Sequence, residues 1–502
     1  MRGLAVGIQQ RICGELDQTT TPYLDAVLRY RASGYTPFHT PGHKLGKGAP
    51  AKMVEAFGLP LLQIDVAVAG GVEDTRESTG LVQAAEALAA AAYGAELCIF
   101  LVNGSTSGVQ SLIMTLAGPR DTVVVPRNSH KSVAAGLIFS GAMPYYVEPA
   151  IEPDWGIPLN VRREDVAAAL QRVPDAAALF VTSPTYNGFA ADLRGIAGLA
   201  HEAGLPFIVD QAWGPHFRFC SRLPDDAMGA GADAAVTSIH KLISGLTQSS
   251  IVMARGERVN LHRLASVAKM TQSTSPQVLI YASIDAARMQ MATEGEHLWS
   301  RAVELADWAR EGIGRIEGLR CLGHECLSWP GVAAFDPTRL TVTACGLGHS
   351  GWELETILRD SYRIAVEAAD PLNVVLNATY ADTMEDMRVL VEALTDYAAR
   401  YRERRVTSTA SRALLLKLPA FTRQVLSPHD AFFSPSAPLP LRESVGYVSA
   451  EMVTPYPPGI PVIAPGEEIS EGIVEYLTEA SARGVHLHGP EDSSLRTLRV
   501  VR

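Results

Sequence analysis

The sequence predicts an α/β protein: a large domain on a mainly parallel sheet covered on both faces, then a smaller α/β unit and a C-terminal domain. Three observations support this. Short apolar or β-branched runs alternate with helix-length segments between about residues 96 and 240, the pattern of parallel strands joined by crossover helices. The chain has 502 residues, more than a single core comfortably fills. Polar segments follow the strands directly, where open α/β sheets bind their ligands.

In chain order, residues 1–40 read as an N-terminal helical segment whose helix, with apolar positions Leu24, Val27 and Leu28, reaches about residue 30 and is followed by the polar loop YTPFHTPGHKLGKG. Residues 41–320 form the expected large domain. Ser78 or Thr79 can cap an Ala-rich helix beginning near Leu81, since a hydroxyl there satisfies a free backbone N–H. The strand candidates are ELCIFLV, TVVVP, AALFVTS, PFIVD and AAVTSIH, with GVQSLIMTL, REDVAAALQRV and LRGIAGLAHEAG as helices between them. A long helix over about 276–317 leads out of this domain. Residues 321–405 form the small α/β domain, with strands LTVTAC and YRIAVEAA and helices ELETILRDS and MEDMRVLVEALTDYAARYRER. Charge-rich YRERR and polar VTSTAS mark the boundary to a Pro/Gly-rich C-terminal domain, residues 406–502, which ends in the strand TLRVV.

Composition narrows the function. Forty-three Lys and Arg against 54 Asp and Glu give a net charge of −11, which argues against a nucleic-acid surface. Six cysteines without a CxxC pair indicate neither a disulfide framework nor a zinc site. The N-terminus meets charge too early for a signal peptide, and no later stretch reaches 18 uncharged apolar residues, so a cytoplasmic protein without membrane contact is expected.

Four segments after strands carry the chemistry. NGSTSG, residues 103–108, offers small residues, the hydroxyls of Ser105, Thr106 and Ser107, and free N–H groups at a helix start; this suits a phosphate, or an ordinary cap. RNSHKS presents His130, a residue able to lie over an aromatic cofactor or simply to cap a helix. PFIVDQAWGPH ends a buried strand in Asp210, a carboxylate that requires a cationic partner, with Trp213 and His216 in the same loop. AAVTSIHKLISG places Lys241 after another strand, beside Ser238 and His240; a partly desolvated lysine has a depressed pKa and can act as a nucleophile. A phosphate cradle, a ring-facing group, an acid for a protonated ring nitrogen and an amine make up the inventory that pyridoxal 5'-phosphate (PLP) needs.

Two other patterns read as structural. GLGHSG, residues 346–351, matches GxGxxG, but it falls late in the chain without a second mononucleotide-binding half. His39 and His43 are spaced as HxxxH, but Pro41 and Gly42 between them oppose a helical metal pair. No metal is expected.

FHTPGHKLG, VNGSTSGVQ, PRNSHKS, DQAWGPH, TSIHKL, QSTSP and SAEMVTPYPPGIPVIAPGE, taken in that order, resemble the ornithine/lysine/arginine decarboxylase family of fold-type I PLP enzymes, in its short form. The resemblance runs from about residue 20 to the end and implies a sheet of the seven-stranded type. It further implies Lys241 as the Schiff-base lysine, Asp210 as the partner of the pyridine nitrogen and His130 as the residue against the ring. By the same resemblance Thr106, Ser107, Ser238 and His240 contact phosphate, Ala212 touches the other ring face and Trp213 lies beside it. Family members form dimers that share active sites, so a homodimer or an assembly of dimers is expected. Ser273, Thr274 and Ser275 would then reach a neighbour's cofactor, and Glu451 would shape the substrate entrance. The segment VAVAGGVEDTRESTG departs from the family pattern while keeping Glu73 and Asp74, which are candidate contacts for a basic side chain. The implied function is decarboxylation of a basic amino acid, arginine ahead of lysine or ornithine. An aminotransferase on the same fold, or a non-catalytic scaffold, is the alternative.

Overall fold

A computed structural model describes residues 16–67, 72, 80–404, 419–455, 460–483, 485 and 487–502. The N-terminal helix α1 (Pro22–Ala32) starts on a proline and buries Tyr23, Ala26, Val27 and Tyr30. Leu28, expected on its apolar face, is exposed, because the buried stripe runs through 23, 26, 27 and 30 and position 28 falls on the opposite side. Helix α2 (Leu81–Tyr93) begins where the sequence predicts. The capping candidates Ser78 and Thr79 lie outside the described residues.

The large sheet contains β1 (Leu97–Leu101), β2 (Thr122–Pro126), β3 (Met143–Val147), β4 (Ala178–Thr182), β5 (Phe207–Asp210), β6 (Ala234–Thr237) and β7 (Ser250–Ala254). Their order is β1-β7-β6-β5-β4-β2-β3. β7 runs antiparallel to both its neighbours, and the remaining pairings are parallel. Helices α3 (Gly104–Leu116), α4 (Lys131–Ser140), α5 (Arg163–Arg172) and α6 (Leu193–Glu202) are among those that cover it, and a buried apolar cluster lies on each face. All five expected strands form. β3 and β7 were not anticipated: β3 contains Pro144, which is tolerated because the strand is at the sheet edge, and β7 comes after the Lys241 segment with no helix-length spacer to announce it.

The long helix α7 (Val278–Gly314) leads to a four-stranded antiparallel sheet, ordered β8 (Arg320–Cys321), β9 (Arg339–Thr343), β11 (Asn373–Asn377), β10 (Ala368–Ala369). Helices α8 (Gly351–Tyr362) and α9 (Met384–Arg400) pack there around a buried cluster of their own. YRIAVEAA yields only the two-residue β10: α8 continues to Tyr362 and turns at Arg363, whose φ is +60°. The main strand is instead NVVLN. The GLGHSG glycines are packing residues. Ser350 and Glu353 form a capping box at the start of α8, and a Cβ on Gly351 would lie 2.0 Å from the Asn373 carbonyl oxygen.

The C-terminal part pairs β12 (Ser436–Pro440) with the expected terminal strand β13 (Thr497–Val501), and α10 (Glu471–Ala482) packs beside them. It is held to the large sheet at Arg127, just after β2. That guanidinium forms a two-pronged pair with Glu467, its Nε donates to the Pro461 carbonyl at 3.0 Å, and the group lies over the rings of Tyr146 and Phe421. Among the described residues no helix is long and apolar enough to cross a membrane.

Candidate active site

The site forms where β1, β5 and β6 end. Gly104 opens α3 with φ +67°, a conformation that favours glycine, and its N–H donates to the Gln248 carbonyl at 3.0 Å. This turn drops Ser105 into the sheet edge. Its hydroxyl lies 2.7 Å from both Ser238 Oγ and Ser250 Oγ, and the Ser250 hydroxyl donates to the Thr237 carbonyl at 2.6 Å. Three buried hydroxyls from three elements thus form one knot at a helix N-terminus. Thr106 is exposed beside it, whereas Ser107 is buried and donates to the Gly104 carbonyl at 3.0 Å. Ser250 was not anticipated, because it sits at the head of the unforeseen strand β7.

Asp210 is the last residue of β5 and is buried; one carboxylate oxygen accepts the Ala212 N–H at 3.0 Å. Its register partner on the neighbouring parallel strand is Val236. β6 ends one residue later, and Lys241 sits in the single helical turn beyond it, Ile239–Leu242. The Lys241 Nζ lies 3.9 Å from the centroid of the Trp213 ring. Burial lowers its pKa to about 8 against the pull of Asp210 and Glu367, and Arg339 acts in the same direction as burial. Near neutrality an appreciable fraction of this amine is therefore uncharged and nucleophilic.

His130 caps α4: its Nδ1 accepts the Ser132 N–H at 3.2 Å, so the neutral ring carries its proton on Nε2. The ring is at an exposed position. Desolvation by the surrounding protein nonetheless lowers its pKa, opposed by Asp210 and reinforced by Lys241 and Lys131. His240 is half-buried and its Nδ1–H donates to the Ser249 carbonyl at 2.8 Å. Ala212 and Trp213 are half-buried in the loop after Asp210. His216 is fully buried, 3.2 Å from Asp336 and 4.1 Å, ring to ring, from Trp299.

The remaining candidates are spread more widely. Ser273, Thr274 and Ser275 are exposed in the stretch after Gln272, whose side chain bonds the backbone of Phe100 and Val102 at the end of β1. Glu451 is buried in the C-terminal part, and both its oxygens are taken by backbone N–H groups, of Glu491 and of Arg499, each at 2.7 Å. Glu73 and Asp74 lie outside the described residues. His39 and His43 are engaged locally, with the Tyr30 hydroxyl and with Asp65 at 3.1 Å.

Sequence reasoning missed Arg339, which opens β9 fully buried and lies 4.4 Å over the same Trp213 ring as Lys241. Its one sequence signal is an arginine at the head of the apolar and β-branched strand run, in FDPTRLTV.

The residues present fit PLP. A hydroxyl knot at a helix start suits the phosphate, a buried carboxylate at a strand end suits a protonated pyridine nitrogen, and a partly deprotonated lysine lies nearby.

Comparison with known proteins shows the family. The Orn/Lys/Arg decarboxylase major-domain model matches residues 21–386, and the C-terminal-domain model of the same family matches residues 415–492. The chain is 38% identical to arginine decarboxylase of Bacillus subtilis, over 97% of this chain and 99% of that one. It is 25% identical to lysine decarboxylase of Hafnia alvei, over 97% of this chain and 79% of that one. Its fold superimposes on Francisella novicida lysine decarboxylase with a TM-score of 0.82 at 21% identity, covering 97% of this chain and 82% of that one. The chain belongs to the Orn/Lys/Arg decarboxylase family of PLP-dependent enzymes.

Proposed function

We propose that the chain decarboxylates a basic L-amino acid, with arginine preferred, releasing CO2 and agmatine, an amine of the polyamine class. The observation that carries this reading is the juxtaposition of a partly deprotonated Lys241 with the buried Asp210 at the ends of adjacent parallel strands. The preference for arginine rests on the greater identity to an arginine decarboxylase, 38%, than to a lysine decarboxylase, 25%.

Lys241 is the attachment point for PLP and Asp210 holds the proton on the ring nitrogen. The knot of Ser105, Ser238 and Ser250, with Thr106 and His240 beside it, receives the phosphate. His130 and Ala212 bound the ring, and Trp213 shields Lys241 from solvent. Bound there, the cofactor supplies a conjugated electron sink for the charge left at Cα when CO2 departs. Lys241, released by the incoming α-amine, holds the proton that returns to Cα. Fixing the phosphate at the hydroxyl knot keeps the reacting bond aligned, since small misplacements forfeit much of the orientational advantage. The enzyme acts in the cytoplasm as a homodimer, with exposed Ser273 and Thr274 facing a second copy, and Glu73 and Asp74 are the carboxylates offered to the guanidinium.

The test is to incubate purified PLP-loaded protein with arginine, lysine and ornithine, measuring CO2, amine and keto acid. Equimolar CO2 and agmatine, greatest with arginine, is expected. Stoichiometric keto acid would show an aminotransferase instead. A protein that stays colourless with added PLP would indicate a scaffold.

A further inference from the structure

Arg339 is a fully buried guanidinium whose bonding is incomplete. Nη1 donates to Asn377 Oδ1 on β11, and Nη2 donates to the Trp213 carbonyl at 3.2 Å. Nε has no hydrogen-bond partner; the nearest carboxylate, Asp336, lies 3.6 Å away. That carboxylate is shared with His216, whose ring packs on Trp299 of α7. The small antiparallel sheet therefore reaches across and grips the loop after Asp210 by its backbone. It leaves its positive charge on the ring that also carries Lys241, with Arg339 Cζ at 4.4 Å and Lys241 Nζ at 3.9 Å from the Trp213 centroid.

We propose that Arg339 is a positioning residue of this site: it ties the Trp213 loop to the small domain, and its charge raises the share of Lys241 present as the free amine that takes up PLP. The proposal rests on the reading of Lys241 as the attachment point. The charged and titratable groups around Lys241 are Asp210, Glu367, Arg339, His130 and His240. The two carboxylates favour the ammonium, and Arg339 opposes them. Arg339 is not a binding group for the leaving carboxylate. Its side chain is fully buried, with one N–H of each Nη group bonded within the protein, and a guanidinium on that carboxylate would stabilise the ground state of the very group that must depart.

The test follows the rate of PLP uptake by apoenzyme, by absorbance, as a function of pH. Wild-type uptake is expected to rise with pH to a midpoint near about 8, the pKa of Lys241. Arg339→Gln should move the midpoint up, slowing uptake at neutral pH by about threefold or more, as loss of one nearby positive charge demands. Arg339→Lys should keep the wild-type midpoint. Asn377→Asp, which sets a carboxylate against the guanidinium without removing it, should also move the midpoint up, and it serves if Arg339→Gln does not fold. An unmoved midpoint in Arg339→Gln, or in Asn377→Asp where Arg339→Gln cannot be purified, would overturn the proposal; so would an equal shift in Arg339→Lys and Arg339→Gln. A purely structural arginine would change thermal stability and PLP capacity but leave the midpoint in place. Wild-type apoenzyme that takes up no PLP at all would overturn the underlying assignment of Lys241 instead.

Discussion

Two buried arginines join outer parts of the protein to loops at the C-terminal side of the large sheet, one after β2 and one beside the loop after β5, and they are bonded differently. Arg127, after β2, has its Nη groups on Glu467 and its Nε on a carbonyl, between two aromatic rings; the pairing raises its pKa over the opposing effect of burial. Arg339, beside the site, pairs with Asp336 at 3.6 Å without a hydrogen bond at Nε, and burial lowers its pKa. A fully hydrogen-bonded buried pair is a clamp, whereas an incompletely bonded one leaves more of its charge felt by its neighbours. The clamp secures the C-terminal part, and the incompletely bonded cation borders the candidate site.

Removing the site amine itself separates the two regions most. Lys241→Ala should lower decarboxylation by at least about a thousandfold, as loss of a covalent nucleophile does. Its melting temperature as apoenzyme should stay at or above that of the wild type, because the lost ammonium was desolvated at a cost. Glu467→Ala tests the other arginine. It strands the Arg127 charge and should cost about 3–5 kcal/mol of stability, read from the denaturant midpoint with an unchanged slope. A near-neutral result would erase the contrast between the two arginines.

Asp210→Asn should retain PLP yet lose about a hundredfold in turnover, since an amide cannot hold the proton on the ring nitrogen; steady-state rates on PLP-saturated enzyme check this. Ser105→Ala removes the hydroxyl shared by Ser238 and Ser250 and should weaken PLP retention by about five- to tenfold, the worth of one buried hydrogen bond, measured by dialysis against free PLP. The melting temperature should move little, unlike that of Glu467→Ala.

Much of the sheet, and the grouping of the candidate cofactor residues at its strand ends, was legible because each reading needed only a strand and the few residues at its C-terminal end. Asp210 ends an apolar run and Lys241 lies just past the next, so their parallel pairing brings them together without further information. Ser250 and Arg339 were not legible in this way. Ser250 belongs to a strand whose antiparallel direction no local pattern announces. Arg339 reaches Trp213 only because α7 and the small sheet fold back on the large one, and that closure depends on packing between segments far apart in the chain. Glu451 illustrates the reverse. An acid inside a recognisable motif reads as a ligand group, yet both its oxygens are occupied by amides from the last segment of the chain. Leu28 shows the same limit at small scale, since an apolar helix residue announces a buried face but not which stripe is buried.

Borohydride reduction of the PLP-loaded protein, with peptide mapping of the product, tests the central claim most directly. A pyridoxyl group on Lys241, absent from the Lys241→Ala protein, is the predicted result. A stable adduct on any other lysine, or the same adduct yield in Lys241→Ala, would contradict the account.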